Sequence, residues 1–398
     1  MRTLMLAPLL LLLAWGAGVP AHAQGIEWET LNDEAKSLYQ HELYDSAIVV
    51  AKKALQVAEQ AVGPDHPDVV TSLNNLAGLY RAQGQYAQAE PLYKRALAIR
   101  KKVLGPDHAD VATSLDCLAH VYHSEGKDAK AEPLLKRALA IREKALGSEH
   151  PDVATSLDGL ASVYVYQGKY REAEPLLKRA LAIREKALSS EHADVATSLD
   201  VLAGVYRVLG QYAQAEPLYK RSLAIREKAL GSEHPDVARS LNNLAGVYRV
   251  QGQYAQAEPL YKRSLAIKEK ALGSEHPDVA TSLDVLAGVY YFQGKYAEAE
   301  SLLKRALAIE EKTLGPDHRS VALSLNNLAE LYRAQGQYAQ AEPLYKRSVA
   351  ILEKALGPDH PDVATSLENM AQLYRKTGRV KEADTLEKRA AAIRAVRR

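Results

Sequence analysis

The chain predicts an all-α protein, a solenoid of antiparallel helical hairpins, on three observations. A 42-residue unit is written eight times in succession, marked by His66, His108, His150, His192, His234, His276, His318 and His360. A period of that size belongs to stacked supersecondary units that share one continuous core. Within the copy at 63–104, Val69, Leu73, Leu76, Ala77 and Tyr80 fall at i, i+4, i+7, i+8 and i+11, one apolar stripe of a helix. Gly84 then interrupts the pattern, and Tyr86, Ala89, Tyr93, Ala96, Leu97 and Leu104 lay down a second stripe.

Residues 1–23 differ in kind from the rest. Arg2, the apolar run Leu4 to Leu13 and the tripeptide Ala21-His22-Ala23 have the layout of a secretory signal peptide cleaved near Ala23. Ten apolar residues are too few to span a bilayer. The expected location of the mature chain is therefore periplasmic or extracellular. Cys117 is the one cysteine, which excludes an intramolecular disulfide, and no N-x-S/T acceptor occurs.

Residues 24–62 read as a divergent capping hairpin. Leu31, Ala35 and Leu38 keep its first stripe, Tyr44, Ala47, Ala54 and Leu55 its second, and Glu34 stands where Leu76 stands one unit later. Residues 63–398 hold the eight repeats, the last a polar C-terminal cap. There Glu387, Ala391, Arg397 and Arg398 replace Tyr93, Leu97, Val103 and Leu104, as an end without a neighbour requires.

In each repeat, helix A is expected near 67–83 and helix B near 86–104. Gly63 sits where a helix C-terminus calls for a left-handed residue, with Ser189 as the one exception among its equivalents. Pro67 suits the first helical position and Asp68 the positive end of the helix. Pro91, repeated as Pro133, Pro175, Pro217, Pro259 and Pro343, falls about one turn into helix B and predicts a slight bend.

The small residues Ala77, Ala89 and Ala96, with Tyr80, Gly84 and Tyr86, resemble the tetratricopeptide repeat. The 42-residue period and the recurring GPDHPDVA, SLNNLA and AEPLYKRAL strings resemble its kinesin-light-chain type. This resemblance covers residues 26–398. It implies a right-handed superhelix whose concave groove is lined by the A helices and binds proteins or extended peptides.

Composition and motifs exclude much else. Lys plus Arg (51) nearly balances Asp plus Glu (49), so the net charge of +2 gives no drive toward nucleic acid or anionic lipid. No P-loop, G-x-G-x-x-G, H-E-x-x-H or G-x-S-x-G string is present, and no cofactor or metal is expected. The periodic histidines fall one per hairpin, too far apart for a zinc shell of about 2 Å, and read as helix-start residues packed between hairpins. The recurring Lys94-Arg95 pair reads as a solvated helix face, with Glu90 four residues before Lys94. Cys117, His120 and His123 depart from the repeat and share one helix, which makes a metal-dependent enzyme a remote alternative.

The candidate site lies off the packing stripe. Asn74, Gly78 and Arg81, at i, i+4 and i+7, form a second face of helix A, which the resemblance turns toward the groove. The Asn74 column continues as Asp116, Asp158, Asp200, Asn242, Asp284, Asn326 and Glu368, and the Arg81 column as His123, Val165, Arg207, Arg249, Tyr291, Arg333 and Arg375. These columns vary while the packing columns hold, as contacts to an irregular ligand would. Asn74, Arg81, Asn242, Arg249, Asn326 and Arg333 are the expected ligand contacts, with Tyr166, Tyr291 and Phe292 (beside Val165) as apolar anchors. The expected function is an exported, non-catalytic scaffold for a peptide segment or partner protein. A peptide-responsive regulator is the alternative, and the oligomeric state is left open.

Overall fold

A computed structural model describes residues 21–395. Arg2, the run Leu4 to Leu13, Arg397 and Arg398 lie outside the described residues. Among those described there are eighteen helices and no strand, in two compact units that divide after Ala187. The first unit carries α1 (Ala21–Gln40), α2 (Tyr44–Val62), α3 (Pro67–Ala82), α4 (Tyr86–Leu104), α5 (Ala109–Ser124), α6 (Asp128–Leu146), α7 (Pro151–Tyr166) and α8 (Tyr170–Leu188). The second carries α9 (Ala193–Val208), α10 (Tyr212–Leu230), α11 (Pro235–Val250), α12 (Tyr254–Leu272), α13 (Pro277–Phe292), α14 (Tyr296–Leu314), α15 (Arg319–Ala334), α16 (Tyr338–Leu356), α17 (Pro361–Lys376) and α18 (Val380–Ala395). Odd-numbered helices are A helices and even-numbered ones B helices. In each unit a hairpin packs its B helix between its own A helix and the next.

The histidines earn their period as caps. His66 is the N-cap of α3, and its Nδ1 accepts the Asp68 backbone N–H at 3.2 Å, a bond repeated by the other seven. The imidazole nitrogen thus does what Ser or Asp does at other N-termini, satisfying one of the orphan amides of the first turn. The side chain is 42% exposed, so it caps the helix and is not packed between hairpins as the sequence suggested.

At the other end, Gly63 closes α2 with φ 87° and ψ 163°, its N–H bonded to the Glu59 carbonyl at 3.1 Å. That ψ is not the left-handed helical value expected but an extended, mirror-image conformation open essentially to glycine alone. Ser189 holds the same place at φ 93°.

Helix B runs unbroken through its proline. Pro91 is exposed, and the carbonyl it leaves unbonded, that of Ala87, is on an exposed residue where water serves it. The apolar stripes pack as expected, Val69, Leu73, Ala77, Ala89 and Ala96 being fully buried. Leu104 is the exception: at 39% exposure it is no core residue. Leu79 and Ile99, outside the expected stripes, are buried instead.

Polar bonds tie hairpin to hairpin. Glu90 pairs with Lys94 at 2.6 Å and accepts the hydroxyl of Tyr122, one hairpin on, at 2.9 Å. Arg305 reaches back to Glu269 on the preceding B helix at 2.7 Å. The Lys-Arg pair thus serves the scaffold.

Deeper lies a joint centred on the Arg100 column of helix B. Arg100 donates to Ser114 Oγ at 2.9 Å on the next A helix. Arg142 is buried between Asp116 on its own A helix and Ser156 on the next. Arg226 repeats this with Asp200 and Ser240 Oγ, the latter at 2.5 Å. Arg184 pairs with Asp158, and Arg394 with Glu368 at 2.6 Å. In four hairpins an acid in the Asn74 column thus meets an arginine from its own helix B.

Two outcomes follow for stability. Ser189→Gly relieves a side chain held in a glycine conformation and should raise unfolding stability by about 1 kcal/mol, read as a higher urea midpoint at unchanged slope. Arg142→Ala strands the buried Asp116 carboxylate and should cost about 3–5 kcal/mol. The double change Arg142→Met with Asp116→Leu should recover most of that loss in the same urea titration. A single variant as stable as wild type would show the pair to be solvated.

A candidate ligand-binding face on the A helices

In the first unit α1 and α3 frame a cavity of about 390 Å³, lined by Asn74, Gly78 and Arg81 together with Asn32, Lys36 and Tyr39. The i, i+4, i+7 spacing thus places its three residues on one open face. Asn75 Nδ2 donates to Asn32 Oδ1 at 2.9 Å across the helices. Asn74 Oδ1 is buried and has no hydrogen-bond partner, and the same holds for Oδ1 of Asp116, Asp200 and Asp284 in the same column.

Arg81 does not stand alone on this face. It is set against the hydroxyl of Tyr93, which rises from α4, and burial pushes that hydroxyl up to about 12 while Arg81 pulls it down. A Cβ on Gly78 would come to 3.8 Å from the tyrosine oxygen, an ordinary contact, which places the hydroxyl directly beneath this position of the face. Gly204 and Gly246 frame Tyr219 and Tyr261 in the same way, at 3.6 and 3.7 Å, and those hydroxyls meet Arg207 and Arg249.

The two columns change together. Arg81, Arg207, Arg249 and Arg333 go with Tyr93, Tyr219, Tyr261 and Tyr345, whereas His123, Val165 and Tyr291 go with Leu135, Leu177 and Leu303. Arg375 goes with Glu387, bonded at 2.6 Å. The tyrosines were read from sequence as core residues only. The covariation between copies was the signal that would have revealed their second role.

The arginines differ in charge environment. Arg333 is paired with Glu330 at 2.5 Å, and Glu330 also accepts the Tyr345 hydroxyl at 2.9 Å. Arg375 is held by Asp384 and Glu387. Among the described residues no carboxylate comes within ion-pair distance of Arg81, Arg207 or Arg249, all exposed. In the second unit Arg207 and Arg249 sit at the same place on successive A helices.

The other expected contacts fall as follows. Asn242 is half-buried on α11, and Asn326 Oδ1 accepts from Asn369 at 3.3 Å. Tyr166, 70% exposed at the end of α7, lies edge-on to His123 with ring centres 5.2 Å apart, and His123 Nδ1 is 2.7 Å from Asp128. Tyr291 donates to Glu330 at 3.2 Å, while Phe292 stacks on Tyr254 at 5.1 Å and stays 58% exposed. Burial pushes the Cys117 thiol up, away from the thiolate that metal binding or nucleophilic attack needs. Among the described residues no group of three or more His, Cys, Asp or Glu is placed to hold a metal ion.

The Tetratricopeptide repeat profile matches residues 29–102, 69–144, 110–186, 194–270, 236–312, 278–354 and 320–395, and a second profile of the same description matches 159–228. Neither describes a catalytic family. A kinesin light chain protein of Podosopora anserina with nearly identical TPR-like repeats is 38% identical, at a TM-score of 0.48, over 52% of this chain and 99% of that one. BtubC (BKLC) of P. vanneervenii is 25% identical at 0.50, over 57% and 91%. The apo form of RapI superposes at 0.68 over 92% and 97% with 16% identity, a likeness of fold alone. Nephrocystin-3 of Mus musculus is 39% identical over 66 residues, 17% of this chain and only 5% of that protein's length. With the repeat profile matched along nearly all of its hairpins, this chain belongs to the tetratricopeptide repeat family, in its kinesin-light-chain-like form.

Proposed function

We propose that the chain is a non-catalytic scaffold that captures an extended, carboxylate-bearing segment of a partner protein on the A-helix face. Repeats of this family are scaffolds for protein interaction; the finer reading rests on Arg207 and Arg249. Each guanidinium lies beside a buried tyrosine hydroxyl whose charge it influences, is exposed, and among the described residues has no carboxylate within ion-pair distance. A positioned fork of N–H donors recognises a carboxylate in two-point fashion. Asn242 on the same helix face as Arg249 adds an amide that bonds to a peptide backbone in either sense. Arg81 with Asn74 offers the same pair beside the cavity of the first unit.

The test is binding of a fluorescent glutamate-rich peptide, with a lysine-rich one as control. Arg207→Ala with Arg249→Ala should weaken glutamate-peptide binding roughly 100-fold, at about 1.5–3 kcal/mol for each charged hydrogen bond removed, with helicity unchanged. Arg333→Ala, whose arginine is already neutralised by Glu330, should change affinity little. Equal affinity of the double variant and wild type would sink the assignment.

The same proposal places the protein outside the cytoplasm, on the strength of the signal-peptide pattern in residues 1–23. The mature protein recovered from the exported fraction should begin at or near Gln24 by N-terminal sequencing. A chain that keeps Arg2 and stays with the cytoplasmic fraction would count against it.

A further inference from the structure

The joint residue of helix B is basic in Arg100, Arg142, Arg184, Arg226, Lys268 and Arg394, apolar in Leu352, and acidic once, in Glu310. Glu310 is 3% exposed and faces another acid, Asp284, where the sibling hairpins pair Asp116 with Arg142 and Asp200 with Arg226. Both carboxyls converge on one hydroxyl. Ser324 Oγ on α15 lies 2.8 Å from Asp284 Oδ2 and 2.7 Å from Glu310 Oε2. A serine has one hydrogen to donate, so the second contact closes only when a carboxyl carries a proton and donates it to the serine oxygen.

We propose that the joint between the α13–α14 hairpin and α15 is a proton-operated latch, closed while Asp284 and Glu310 share a proton across Ser324 and loosened when both are ionised. Among the described residues no lysine or arginine is ion-paired with Asp284 or Glu310. From α12, Lys268 is bonded to Ser282 Oγ at 2.8 Å. From α15, His318 at the helix start and Asn327 are the remaining polar neighbours, the first favouring ionised Glu310 and the second ionised Asp284. Neither outweighs burial, which pushes Glu310 up and, with the charge of Glu310 adding to it, pushes Asp284 up to about 7.

A carboxyl that holds its proton more tightly folded than unfolded stabilises the fold fully below its unfolded value of about 4. That contribution is lost as pH rises through the folded value near 7. The latch thus works in the range where ordinary surface carboxylates have already ionised. It also bears on the open face, because the Tyr291 hydroxyl reaches Glu330 across the same pair of A helices, α13 and α15.

The test compares the full chain with Glu310→Arg, which restores the pairing of the sibling hairpins, and with Asp284→Asn, which removes one titrating group at constant shape. Thermal midpoints are measured from pH 5 to pH 8, with hydrogen exchange followed in α13, α14 and α15. Wild type should lose several degrees more than either variant across that range, and its exchange in these three helices should speed up as pH rises. Every group outside the joint is common to all three proteins and cancels in the comparison. If Glu310→Arg fails to fold, the Asp284→Asn curve decides. Midpoints of wild type and variants that run parallel from pH 5 to 8, with unchanged exchange in α13–α15, would overturn the latch.

Discussion

A pair of antiparallel helices cannot bury both of its apolar stripes by itself. The stripe of helix A that holds Leu73 and Ala77 packs on its own helix B, but the far side of helix B stays open until another A helix arrives. Everything periodic in this chain answers that constraint. The fully buried Ala77, Ala89 and Ala96 let the helices approach, and a histidine cap restarts the chain at the same place each time. Within each unit successive hairpins meet through the same surface, so a change at the joint is felt by the residue across it.

That coupling gives the variable columns a meaning the sequence did not reveal. Variation in the Asn74 column has an internal source: an acid appears where Arg142, Arg184, Arg226 or Arg394 requires one. Variation in the Arg81 column follows the tyrosine or leucine beneath it. Since an unpaired buried charge costs several kcal/mol, drift at one member alone is strongly opposed. Ligand selection, where it acts, operates on pairs.

The helices, their boundaries within about a residue, the hairpin order and most of the core were legible because period and stripe report directly on packing. Local geometry was legible less evenly. Pro91 signals a bend on its own helix, but the exposure of Ala87 makes the lost bond harmless, and exposure is set by tertiary contacts. Leu104 continues the stripe by count, yet it falls in the last turn, where no neighbour covers it. Asn74, Gly78 and Arg81 were legible as one face. Hidden from spacing alone was that Tyr93, twelve residues beyond Arg81 and on another helix, brings its hydroxyl into the field of the guanidinium.

The same reasoning explains how near-identical repeats can present a non-uniform surface. Arg333 and Arg375 have the chemistry of Arg207 and Arg249, but Glu330 and the Asp384–Glu387 pair already occupy them. Glu330 stands where Gly204 and Gly246 stand, so one substitution supplies a partner for both the Tyr345 hydroxyl and the arginine. A carboxylate arriving at Arg333 must displace a partner that is covalently tethered, and hence present at high effective concentration. At Arg207 or Arg249 it displaces only water. On the proposed reading, affinity along the face depends less on which residues are there than on which of them the fold has left without a partner.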